Sequence, residues 1–236
     1  PIHHGIGATV SYDKAGAISY TTFNAAYALH SKISREYTLS IGASFGMKQF
    51  TLDGSELKFV HTLDDPEISN AVYTKTMPDL NLGFWLYSDK VFFGGAARQV
   101  LQSGITLQTA EGIIGGDYSK LHNHYFITAG TKLDMNPDWI FVPSFMLQSV
   151  RPAPIQLDLN GTFWFKEQVG FGFSYSHLDA LYVILEYVHD QKFEFSYAFD
   201  LTLSDLTHYN QGTHEVIIGM RWGMPSRKVM CPAKFW

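Results

Sequence analysis

With 236 residues, 46% of them hydrophobic and 15% aromatic, the chain carries ample apolar material for a sizeable core and too much for a disordered one. Only 17% of residues are charged, where about 25% is typical of soluble domains. The formal net charge of -5 and a pI near 6.0 leave no basic stripe for nucleic acid, and a lone cysteine, Cys231, excludes a disulfide framework and a paired-thiol zinc site. The purely apolar runs fall well short of the roughly 18 residues a spanning helix needs, so a helical membrane protein is excluded while one that crosses with strands is not.

Taken in chain order, the hydrophobic residues repeat with a period of two. From 37 to 47, Tyr37, Leu39, Ile41, Ala43, Phe45 and Met47 alternate with Thr38, Ser40, Gly42, Ser44 and Gly46. The same rule sets Ile155, Leu157, Leu159, Phe163 and Phe165 against Gln156, Asp158, Asn160, Thr162 and Lys166. It continues through Val169, Phe171, Phe173 and Tyr175, then through Phe193, Phe195, Tyr197, Phe199 and Leu201, and ends with Val216, Ile218, Met220 and Trp222. A helix cannot hold such a pattern on one side.

The alternation predicts about twelve strands, at 3–12, 18–32, 36–51, 80–88, 91–101, 121–134, 138–150, 154–166, 168–177, 180–189, 192–204 and 212–223. Every second connection is short, and the two longest, 52–79 and 102–120, fall on the same side by parity. Short turns at one end and longer loops at the other are the asymmetry of a bacterial outer-membrane barrel. The predicted fold is therefore an all-β, antiparallel transmembrane barrel with both chain ends periplasmic. Its outward face would carry Leu39, Ile41, Phe45, Phe171, Phe173, Phe195, Tyr197 and Phe199. Aromatics near strand ends supply an expected interfacial girdle: Tyr12, Tyr20, Tyr37, Phe50, Trp85, Tyr125, Trp139, Tyr175, Tyr187 and Trp222. A soluble sandwich also alternates, but its strands are usually five or six residues long.

Candidate chemistry is sparse. His122 and His124 would share a strand face and could hold a metal with a third ligand from a neighbouring strand, but a loop-to-strand transition explains them better, with no carboxylate near in sequence, and no metal is expected. Asp64 and Asp65 before Pro66 read as a solvated turn, and Gly112, Gly115 and Gly116 lack the Lys-Ser/Thr of a phosphate loop. No Gly-x-Ser-x-Gly elbow occurs, and the residues point to no enzyme and no cofactor.

The order of several segments is familiar. Gly5 to Gly16, Leu39-Ser40-Ile41-Gly42-Ala43 leading to Phe50, Asp64-Asp65-Pro66, and Pro78 to Phe84 come first; His124 to Gly130, Pro154 to Asn160, Phe195 to Asp200 and Gly212 to Val216 follow. Together they resemble the PorP/SprF family, outer-membrane proteins of type IX secretion and gliding in the Bacteroidota. The resemblance implies a non-enzymatic role in exporting or anchoring cell-surface adhesins. It implies as partners the outer-membrane lipid, a secreted adhesin or its C-terminal domain, and periplasmic secretion and motility components. It also implies about two further strands ahead of the Gly-led hairpin, hence about fourteen in the complete barrel.

On this reading residues 1–224 form the barrel and 225–236 a periplasmic tail. In the tail, Arg227, Lys228 and Lys234 supply positive charge and Phe235 and Trp236 apolar anchors, which suits either docking to a periplasmic partner or packing of Phe235-Trp236 on the barrel base and insertion by the assembly machinery. Two other readings compete: a porin-like or substrate-selective channel, and a soluble carbohydrate-binding β protein.

Overall fold

Residues that alternate between apolar and polar form strands, and strands dominate the computed structural model, which describes residues 2–56, 71–104, 107–108, 113–114, 120–177, 179–203 and 212–222. The strands are β1 (Ile2–Ala15), β2 (Ile18–Lys32), β3 (Thr38–Asp53), β4 (Val72–Tyr87), β5 (Val91–Arg98), β6 (Leu107–Gln108), β7 (Ile113–Ile114) and β8 (His124–Thr131). They continue with β9 (Leu133–Asp134), β10 (Trp139–Val150), β11 (Gln156–Phe165), β12 (Val169–Ser176), β13 (Ala180–His189), β14 (Phe193–Thr202) and β15 (Thr213–Met220). Among the described residues the one helical element is a single 3-10 turn, Gly54–Glu56, and no helix is long and apolar enough to cross a membrane.

Thirteen strands form one antiparallel sheet in the order β1-β2-β3-β4-β5-β8-β10-β11-β12-β13-β14-β15, with β9 beside β10; β6 and β7 pair separately. Apart from the short β6, β7 and β9, each strand lies next to the one that follows it in sequence, so the sheet is a meander. Its edges are β1 and β15, which do not pair with one another, so the sheet is not closed.

Register makes the two faces distinct. On β3, Ile41 is 58% exposed while its neighbour Ser40 is 8% exposed, and Phe45 and Met47 continue the exposed row. The residues opposite keep the same sense: Ile41 pairs with Leu29 and Phe84, Phe171 with Phe163 and Leu185, Phe195 with Tyr187 and Ile218. One face of the sheet is thus apolar and uncovered, and the other carries Ser, Thr, Asn, Gly and the charged groups. All the residues expected to point outward, from Leu39 to Phe199, lie on the uncovered face.

The aromatic girdle needs correction. Tyr12, Tyr37, Tyr125, Trp139, Tyr175, Tyr187 and Trp222 are exposed on the apolar face, but Tyr20, Phe50 and Trp85 are on the other. Phe50 packs with Met77 and Leu121, with Tyr20 against the cluster, and Trp85 stacks on Phe92 at 5.1 Å between centroids. Nearness to a strand end does not decide a face; parity does.

Strand β4 starts eight residues earlier than the predicted 80–88. Its first half holds Lys75, Pro78 and Asp79, which breaks the apolar alternation. Pro78 is tolerated because residues 72–81 pair with β3 alone, leaving the edge next to β5 without a ladder there. The pair β6–β7 also lies in a stretch read as loop, 102–120.

The connections at one end of the sheet, 33–37, 88–90, 135–138, 166–168 and 190–192, are all short; those at the other end include the short 16–17, 151–155 and 177–179 and the longer 54–71, 99–123 and 203–212. Two of the short turns hold non-glycine residues in the left-handed region: Lys166 and Glu167 at φ 49 and 55, Asp190 and Gln191 at φ 49 and 58. Such turns match the twist of the flanking strands, but a glutamine there clashes through its Cβ. Gln191→Gly is therefore expected to stabilise the protein by about 1 kcal/mol, read as a raised midpoint in denaturant titration; a lowered midpoint would contradict the turn geometry.

Candidate functional site

The inner face of the sheet gathers the polar chemistry. Toward the long-connection end, β2, β3 and β4 hold Asn24 and Asp79, 7% and 3% exposed. Asn24 Nδ2 and Asn81 Nδ2 donate to Asp79 Oδ2 at 3.1 and 3.0 Å, and Asn81 Nδ2 also donates to Ser44 Oγ at 3.1 Å. Gly46 makes room for this, since a Cβ there would lie 2.3 Å from Asn24 Oδ1 and 1.8 Å from Phe23 O. The backbone N–H of Gln99 donates to Asn81 Oδ1 at 3.0 Å, tying β5's end to the network. With the Gln99 amide oriented to satisfy both neighbours, its oxygen accepts from Lys48 Nζ and its nitrogen donates to His122 O, each at 2.8 Å. Lys48 also sits 4.9 Å from the Tyr20 ring centroid, a cation over an aromatic face.

Arg98 and His124 are directly paired across β5 and β8, so their side chains are neighbours on this inner face. His124 lies within electrostatic reach of Arg98, Lys48 and His122. The two histidines, weighed above as metal ligands and assigned instead to a loop-to-strand transition, belong to a basic cluster, and no group of metal-ligating side chains occurs among the described residues.

A second network occupies β11 to β15. Ser176 Oγ donates to Asp158 Oδ1 at 2.5 Å, and Gln156 Nε2 donates to Ser176 Oγ at 2.5 Å. Tyr182 stands within electrostatic reach of Asp158, Asp179, Asp200 and Glu215. At the opposite end Arg221 pairs with Glu194 at 2.8 Å.

Toward the short turns the inner face sets apolar surface beside Glu186, Glu194 and Arg221. Ile140, Val142, Trp164 and Val188 form a buried cluster. Large rings there lie flat on glycines of the adjacent strand: Trp164 over Gly170, Trp85 over Gly94, Phe92 over Gly130. The face is therefore polar at one end and carries aromatic surface beside a few charged groups at the other.

Arg227, Lys228, Lys234, Phe235 and Trp236, the candidate partner-binding residues, lie outside the described residues, as do Cys231, Asp64, Asp65, Gly112, Gly115 and Gly116. Sequence reasoning missed the Lys48, Arg98 and Asp79 networks. Lys48 follows the alternating run 37–47 at a polar position, and that parity was the available signal.

Among comparisons with known proteins, the family model described as "Type IX secretion system membrane protein PorP/SprF" matches residues 2–220. No curated protein matches the chain. Among solved structures, the chain is similar to the toluene transporter TbuX of Ralstonia pickettii, with a TM-score of 0.54 and 9% identity over 94% of this chain and 78% of that one. At that identity the likeness is one of fold.

Proposed function

The chain belongs to the PorP/SprF family of type IX secretion membrane proteins, and from this we propose that it is an outer-membrane β-barrel that supports type IX secretion by exporting or anchoring a surface adhesin. The observation that carries the reading is the uncovered apolar face: Ile6, Phe23, Ile41, Phe84, Ile127, Leu159, Phe173, Tyr197 and Ile218 recur on strand after strand, all exposed. In water such a surface far exceeds the few hundred Å² that a monomer tolerates. In lipid it is the expected outer wall of a barrel.

The same reading puts the short turns and both chain ends in the periplasm, the long connections outside, residues 1–224 in the barrel and 225–236 in a periplasmic tail. Arg227, Lys228, Lys234, Phe235 and Trp236 then meet the periplasmic secretion and motility components, and the adhesin or its C-terminal domain meets the barrel. A porin-like channel is the second reading, favoured by the polar inner face.

Two experiments test this. Mild-detergent purification is expected to bring down type IX components and an adhesin; a steady ionic conductance in planar bilayers with no bound protein supports the porin instead. Deleting 232–236 is expected to leave the protein inserted, with folded-barrel migration in unheated gels, while periplasmic components are lost. If the deletion leaves insertion, component retention and adhesin display intact, the tail has no docking role.

A further inference from the structure

The inner face separates basic from acidic side chains around the sheet. Lys48, Arg98 and His124 stand on β3, β5 and β8, while Asp158, Asp200 and Glu215 stand on β11, β14 and β15. Both sets lie toward the long-connection end. In the sheet order the two groups are centred between five and six strands apart, about half of the path from β1 to β15, so curling into a barrel sets them on facing walls. Among the described residues no ion pair engages any of these six side chains, and the carboxylates within electrostatic reach of Lys48 are Asp79 and Asp13. Asp79, the acid nearest the basic group, is buried and already accepts from Asn24 and Asn81. Asp200 Oδ1 lacks a hydrogen-bond partner among the described residues, and Glu215 is exposed.

From this separation we infer that the mouth of the lumen on the long-connection side is a binding site for an extended polypeptide segment carrying acidic and basic groups apart from one another. The inference rests on the barrel reading above and gives that barrel's interior a ligand class. Charged walls in a low-dielectric frame focus the field between them. A polyanion, such as a phosphorylated glycan, gains at Arg98 and loses at Asp158, Asp200 and Glu215. A polycation suffers the reverse. A ligand with both signs gains on both walls, provided that its charges are far enough apart to reach from one to the other, and an extended chain at about 3.3 Å per residue meets that requirement. A small zwitterion has its charges only a few bonds apart and gains on one wall at a time. Arg98 supplies the planar donor fork suited to a carboxylate, with His124 beside it.

The test uses the full chain in detergent and three labelled peptides: one with an acidic block followed by a basic block, one all acidic and one all basic. Anisotropy titration is expected to show the mixed peptide binding most tightly. Arg98→Glu should weaken it about tenfold or more, Arg98→Lys much less, and Glu215→Lys should weaken it as Arg98→Glu does, since each removes a charge-assisted contact and adds a repulsion. Glu215 is an exposed side chain, so its variant keeps the test valid if Arg98→Glu misfolds. Equal binding of the all-acidic peptide, or binding unchanged in both variants, overturns the inference. So does displacement of the mixed peptide by free lysine or by inorganic phosphate at matching concentration, which would make a small ion the ligand. Failure of the barrel reading shows separately, as a protein extracted from membranes without detergent.

Discussion

Phe195→Arg is expected to destabilise the membrane-inserted protein by about 2–4 kcal/mol, while Ser196→Arg, one residue along, costs little. Phe195 lies on the uncovered face between Tyr187 and Ile218, so a guanidinium there must enter hydrocarbon or drag water to it. Ser196 lies on the inner face opposite Glu186, and Glu194 is its neighbour two residues back on the same side, so a cation there meets carboxylates. The pair of variants separates orientation from general intolerance of strand β14. Denaturant titration in lipid vesicles reads the difference; equal losses at the two positions, or a larger loss at Ser196, would reverse the assignment of faces. Ser174 would be a poorer choice for the inner position, because it is buried and leaves no room for a long side chain.

Trp164→Ala should cost about 3–5 kcal/mol, the usual range for removing a large buried aromatic. Trp164 is 5% exposed, packs with Ile140, Val142 and Val188, and lies 3.2 Å from where a Cβ on Gly170 would be. The missing Cβ of Gly170 leaves space on β12 that is bordered by the indole on one strand and by Glu186 on the other. Phe165→Ala, next along on the exposed face, removes a side chain that lipid can replace and should cost markedly less. Thermal unfolding of the two variants, followed by loss of folded migration in gels, gives the comparison; a smaller loss for Trp164 than for Phe165 would show that the inner cluster does not hold the wall together.

Much of this fold was legible because antiparallel hairpins are local. Leu39 to Met47 state their strand, their faces and their neighbours' faces through one rule, and the structure keeps that rule across the sheet. Where the rule was diluted, reading failed. The stretch Val72 to Asp79 is strand with no apolar alternation, since it overhangs β5 and Pro78 needs no partner there. Tyr20, Phe50 and Trp85 look interfacial by position and are inward by parity, because the inner wall uses rings to cover glycines and to build its own small clusters. The polar networks were less legible still. Lys48 meets Gln99, and Arg98 meets His124, across gaps in sequence that only the ladder of strands closes. No local motif marks Asp79 as the centre of a hydrogen-bonded group with Asn24, 55 residues away. The segments outside the described residues, including the tail with Phe235 and Trp236, keep their sequence-level reading as the basis for the docking proposal.

The most direct test of the membrane-embedded β-sheet is a label scan along β3 in vesicles containing brominated lipid. With Cys231 replaced by serine, a single cysteine is placed in turn at positions 39 to 45 and at 47, leaving out Gly46, where a Cβ would meet Phe23 O, and is labelled with an environment-sensitive fluorophore. Quenching by the lipid bromines is expected at 39, 41, 43, 45 and 47 and by an aqueous quencher at 40, 42 and 44. Uniform accessibility to the aqueous quencher, or lipid quenching at the even positions, would contradict it.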